Sequence, residues 1–81
     1  MEISKIQKFL GNLHKFDPKK EEMDYFEMMK EHINNLEALI KKHDGQMDLA
    51  IGKIFLDLLQ FCNMEGIDLE YVLKEKLKFG L

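Results

Sequence analysis

Five apolar residues, Phe26, Met29, Ile33, Leu36 and Ile40, recur at intervals of three, four, three and four. A chain with that period turns its apolar side chains to one side only as a helix, because about 3.6 residues complete each turn. The row is about two heptads long, like the seam along which coiled helices meet. The flanking residues support the same reading. Asp17 and Pro18 read as a helix start, with Asp17 as N-cap and Pro18 in the first helical position. Glu21 and Glu22 then lie near the positive end of the helix dipole. Lys41, Lys42 and His43 suit the negative end, and Gly45 is the expected C′ residue. The pattern predicts a helix from Pro18 to about His43.

Three more helices are expected around it. Ile3, Ile6, Leu10 and Leu13 repeat at helical spacing and predict a helix over Ile3–Leu13, weakened near its end by Gly11. A third helix is predicted from Met47 to Met64. Its apolar residues run nearly all the way round, which predicts a central, buried helix. Its one polar stripe is Lys53, Asp57 and Gln60. Gly66 stops it, and Asp68 caps a fourth helix that turns Leu69, Val72, Leu73 and Leu77 inward. Lys74, Lys76 and Lys78 close that helix. The expected fold class is all-α, a small bundle of about four helices. It forms one domain of 81 residues, with residues 1–17 as N-terminal helix and linker and residues 18–79 as the helical core.

Composition narrows the function. Hydrophobic residues make up 46% of the chain and charged residues 33%, a globular balance. A chain this short buries only about 60% of its unfolded surface, so its own stability is marginal. Cys62 is the only cysteine, so no disulfide compensates, and dimerisation is the expected remedy. The single thiol, with no signal peptide, is read as pointing to a reducing cytoplasm. The apolar run from Ile54 to Met64 is interrupted by Asp57, Gln60 and Asn63, too short and polar to span a bilayer. No membrane partner is therefore expected. Acids and bases are intermixed at a net charge of −3, so no nucleic-acid partner is expected either. His14, His32 and His43 make no ligand pair, and zinc would need clusters that are absent. There is one serine, Ser4, no threonine and no glycine-rich phosphate loop. The chain is expected to act by binding rather than by catalysis.

From Met28 to Leu77 the sequence resembles the MazG-like, all-helical nucleotide pyrophosphohydrolases. The run IGKIFLDLLQFCNMEGIDLEYVLKEKL, residues 51 to 77, carries most of the likeness. It contains a long apolar helix, the turn Gly66, Ile67, Asp68 and Leu69, and Lys76-Leu77 near the end. The resemblance implies the pattern E-E-x-x-E on one helix and E-x-x-D on the next. Such carboxylates cage a Mg²⁺ ion that binds a triphosphate and helps to activate water. The likeness puts the first pattern at Lys30, Glu31 and Asn34 and the second at Ala50 and Lys53. Only Glu31 stays acidic. Asn34 offers a neutral oxygen, Ala50 nothing, and Lys53 a positive charge where the cation should sit.

The resemblance with this departure implies a degenerate member. It would be a non-catalytic binding or regulatory module, without a cofactor, contacting protein or holding a nucleotide without hydrolysis. Its putative face comprises Glu27, Glu31, Asn34, Lys53 and Asp57. Lys53 is expected to take the metal's place by pairing with Glu31 and Asp57. The first alternative is an active Mg²⁺-dependent nucleoside triphosphate pyrophosphohydrolase. It would use Glu27, Glu31 and Asp57, with Glu31 and Asp57 as the metal candidates. A second alternative is a helical interaction protein unrelated to this family, its partner helix packing on Met- and Phe-rich faces. Plainer readings stand beside these. Lys53, Asp57 and Gln60 form a solvated face, His32 is exposed, Cys62 is a small core residue, and most methionines fill core gaps. Phe9, Phe16, Tyr25 and Phe26 gather at the first junction as a local staple or part of an interface.

Overall fold

A computed structural model describes residues 2–43 and 45–79. It is all-α, with four helices and no strand among the described residues. They are α1 (Ile3–Leu13), α2 (Glu22–Lys41), α3 (Met47–Met64) and α4 (Leu69–Tyr71), the last widening into a π-helical turn over Val72–Lys76. Among the described residues no helix is long and apolar enough to cross a membrane. The chain divides into two compact units, one of residues 1–19 and 59–81 and the other Lys20–Leu58.

In the first unit, α1 meets the end of α3 and the α4 segment. The apolar row expected on α1 is only half inward. Leu10 is buried, but Ile6 and Leu13 are exposed, and Gln7 takes the inward place between Ile3 and Leu10. Helix α3 ends in a Schellman motif: the Ile67 N–H donates to the Cys62 carbonyl at 2.8 Å and the Gly66 N–H to the Asn63 carbonyl at 3.2 Å. Gly66 sits at φ 68°, the left-handed region that a residue without Cβ enters freely. Asp68 caps α4 as expected, its carboxylate accepting from the Glu70 N–H at 3.1 Å and the Tyr71 N–H at 3.4 Å. Leu77 does not turn inward with Leu69, Val72 and Leu73. The wide turn, closed by the Leu77 N–H on the Val72 carbonyl at 2.9 Å, shifts the helical phase and leaves Leu77 exposed.

The second unit is α2, the residues that link it to α3, and α3 as far as Leu58. Helix α2 starts later than the Asp17-Pro18 signal predicts. The Asp17 carboxylate is engaged by the His14 ring at 2.7 Å, so it closes the end of α1 instead of opening α2. The start is set by Glu21, whose N–H donates to the Asp24 carboxylate at 2.8 Å. Acids follow in the first turn, where they meet the dipole. The left-handed residue after α2 is His43, at φ 54°, not Gly45. Helix α3 runs as predicted from Met47 to Met64 but is not buried all round. Leu49 and Ile51 are more than half exposed, because two helices in one unit cover only one side of each other.

Candidate functional site

Helix geometry decides which side chains of the second unit can meet. On α2 the half-buried row is Tyr25, Met29, His32, Leu36 and Leu39. On α3 the inward row is Ala50, Ile54 and Asp57, the first and last of them buried. Both rows step by three and four, so each marks the side that faces the other helix. The seam read from sequence is therefore divided: Met29 and Leu36 face inward, whereas Phe26, Ile33 and Ile40 are exposed.

Asp57 is 5% exposed in an otherwise apolar row. A carboxylate taken out of water needs a donor, and His32 provides it. The His32 Nδ1 pairs with the Asp57 Oδ2, with the imidazole a third exposed. His32 is thus a partner of the inward carboxylate and not the exposed residue expected. The pair ties one register of α2 against α3. The two row patterns carried the signal, since each places one polar ionisable side chain, His32 or Asp57, in line with inward apolar residues.

The other residues of the putative face do not join this pair. Asp57 is held by His32, and no ion pair links Lys53 to Asp57 or to Glu31 among the described residues. Glu31 and Lys53 each lie one position before an inward residue. On antiparallel helices this puts them on the same side of the unit. Glu27 is paired with Lys30 at 3.7 Å on its own helix. Asn34 follows His32 by two positions, about 200° round α2, and points away from α3. The stripe Lys53, Asp57 and Gln60 is not one solvated face, because its middle member is buried.

These residues do not fit the divalent cation that the resemblance implies. A Mg²⁺ site needs oxygens converging from two helices. Here Asp57 is occupied by an imidazole, Glu27 by an ammonium, and Asn34 faces elsewhere. Among the described residues no three His, Cys, Asp or Glu groups gather around one point. A His–carboxylate pair serves nucleophilic chemistry only with a nucleophile in reach. The Ser4 hydroxyl is engaged elsewhere, donating to Asp68 at 3.0 Å. Cys62 is buried, as expected of a small core residue, and burial pushes its thiol up from the ordinary value. It is poorly suited to attack.

The first unit holds a polar cluster that the sequence reading missed. Gln7, 6% exposed, donates through Nε2 to the Ile67 carbonyl at 2.8 Å and to Asn63 Oδ1 at 3.2 Å. Its Oε1 accepts from the Leu69 N–H at 2.9 Å, and Asn63 Nδ2 returns a bond to the Gln7 carbonyl at 2.8 Å. The cluster clamps α1 to the α3–α4 turn, and every buried side-chain polar atom among the described residues has a partner. A glutamine between two apolar helical positions was the available sign.

What the surface offers instead is apolar. Among the described residues the buried apolar side chains are Leu10, Ala50, Leu59 and Cys62, against nineteen large hydrophobic residues that are exposed. Phe16 is 90% exposed, and Phe9, Met23 and Phe26 are exposed too. The methionines divide, with Met28 and Met29 half-buried and Met23, Met47 and Met64 exposed. No protein-family model, curated protein or solved structure matches the chain.

Proposed function

We propose that this chain is a non-catalytic binding or regulatory module that works through protein–protein contacts and is itself a homodimer. In this reading it is a degenerate helical relative of the MazG-like pyrophosphohydrolases. The observation that carries the reading is the imbalance, among the described residues, between four buried apolar residues and nineteen exposed large ones. Monomeric proteins seldom leave so much apolar surface uncovered, and such surface is what protein partners bury. The divergent carboxylates support the non-catalytic part, because the groups needed to hold a metal–triphosphate complex do not meet.

Two measurements on one preparation test the proposal. Pyrophosphate release is followed with Mg²⁺ or Mn²⁺ and each common nucleoside triphosphate, and background rates are expected. A photo-crosslinking residue at Phe9 or Phe26 is expected to give discrete covalent protein adducts in cells. Metal-dependent turnover that Glu31→Gln abolishes would refute the non-catalytic reading. Absence of any protein adduct would refute the binding reading.

A further inference from the structure

The exposed apolar residues of the second unit are not scattered. On α2, Phe26, Ile33 and Ile40 are seven residues apart and form one row along the helix. On α3, Ile51, Phe55 and Leu58 form another. Ile33 follows the inward His32 by one position. Ile51, Phe55 and Leu58 each follow an inward residue, Ala50, Ile54 and Asp57, by one position. The two helices are antiparallel, joined by a short link and paired through His32 and Asp57, which lie at matching distances from it. Viewed from one end, antiparallel helices turn in opposite senses, so the row just after each inward row falls on the same side. The six side chains therefore share one broad face. They are 37% to 56% exposed, and none of the six is polar.

We infer that this face is covered by a second copy of the chain, packed on it about a two-fold axis so that four helices enclose the six residues of each protomer. The inference rests on the proposed protein-contact reading and names its partner and surface. Area supports it. A standard interface removes about 800 Å² from each partner, about 65% of it apolar in homodimers. Phe side chains carry about 150–250 Å² each and the aliphatic ones somewhat less, so at these exposures the six present on the order of 500 Å², which fills that apolar core. Charge supports it too. The charges beside the α2 row are neutralised on their own helix, Lys30 by Glu27 at 3.7 Å and Lys41 by Glu37 at 3.1 Å. These pairings leave neither lysine free to select an acidic partner along the α2 row. With so few buried residues of its own, the chain needs this cover wherever it is folded, and another copy is always present to supply it.

The competing surface is the open depression of about 480 Å³ on α3 lined by Asp48, Leu49, Gly52, Lys53, Phe55 and Leu56. Leu49 and Leu56 lie one position before the inward row and so on the other side of the unit.

Sedimentation of the chain, with Ile33→Glu, Ile51→Glu and Leu49→Glu variants, separates the two surfaces. The expected result is a dimer of twice 9.6 kDa. Ile33→Glu or Ile51→Glu should raise the dissociation constant at least about tenfold, as loss of a central anchor does. Leu49→Glu should leave it unchanged. If the glutamate variants unfold, Ile33→Cys in a Cys62→Ala background should oxidise to a covalent dimer, and Glu31→Cys should not. A monomeric chain at about 100 μM would overturn the inference, since a specific dimer has a smaller dissociation constant. Dissociation by Leu49→Glu alone, or crosslinking through Glu31→Cys alone, would overturn it as well. Pyrophosphate release by a dimer held through this face would refute the non-catalytic reading while leaving the inference intact. A monomer that crosslinks to a different protein would do the reverse.

Discussion

At the scale of single residues, the pair His32–Asp57 is where sequence and structure part most clearly. Lys53 was expected to answer the carboxylates, being the cation on the same helix stripe. The imidazole does so instead, because it stands on the facing row and Lys53 does not. The two partners should differ in mutational cost. His32→Leu strands a buried carboxylate and should cost about 2 kcal/mol, whereas Asp57→Asn keeps a hydrogen-bonding group and should cost less. Replacing both with leucine should restore most of the loss, since a well-packed apolar pair replaces an ion pair at little cost. Urea denaturation of the four variants reads the cycle, and additive losses would contradict the pairing.

Cys62 gives a prediction of another kind. Burial raises its thiol's titration in the folded chain. The neutral thiol is therefore favoured by folding, and its contribution is complete below the titration of the unfolded thiol. That contribution is lost as the pH rises through and beyond that range, near the ordinary value of 9.0. The urea midpoint should fall more between pH 7 and pH 10 in the parent than in Cys62→Ala. Equal falls would mean that the thiol is no better shielded when folded.

At the scale of elements, two glycines should respond in opposite directions. Gly66 needs its left-handed conformation to end α3, so Gly66→Ala should destabilise by about 1 kcal/mol. Gly52 lies mid-helix, and a Cβ there would meet nothing within 4 Å. Gly52→Ala should therefore stabilise by about 0.5–1 kcal/mol, because alanine is the better helix former and restricts the unfolded chain. Thermal melts of both variants at one concentration check the pair. The bounds of α1 and α3 were legible from local signals, the apolar period Ile3 to Leu13 in α1 and the apolar run stopped by Gly66 in α3. The start of α2 was not, because Asp17 could cap the helix after it or close the helix before it. The His14 ring settles that choice in space.

At the scale of the whole molecule, the proposed self-association would make the chain gain stability by mass action. Its melting temperature should rise when the chain concentration is raised from about 5 to about 500 μM, and the Ile33→Glu variant should lose that dependence. An unchanged melting temperature in the parent would count against self-association as a source of stability.

The sequence by itself determined that the chain is helical, where α1 and α3 run, and that Gly66 and Asp68 punctuate the α3–α4 turn. These are local properties, set by period, caps and residue type within a turn or two. Only the tertiary structure decided which polar residues face inward, that His32 answers Asp57, that Gln7 clamps the α3–α4 turn, and that Leu49 and Ile51 of α3 stay exposed. Those outcomes depend on the rotation of each helix about its own axis, and that rotation is set by what packs against it rather than by the helix's own residues.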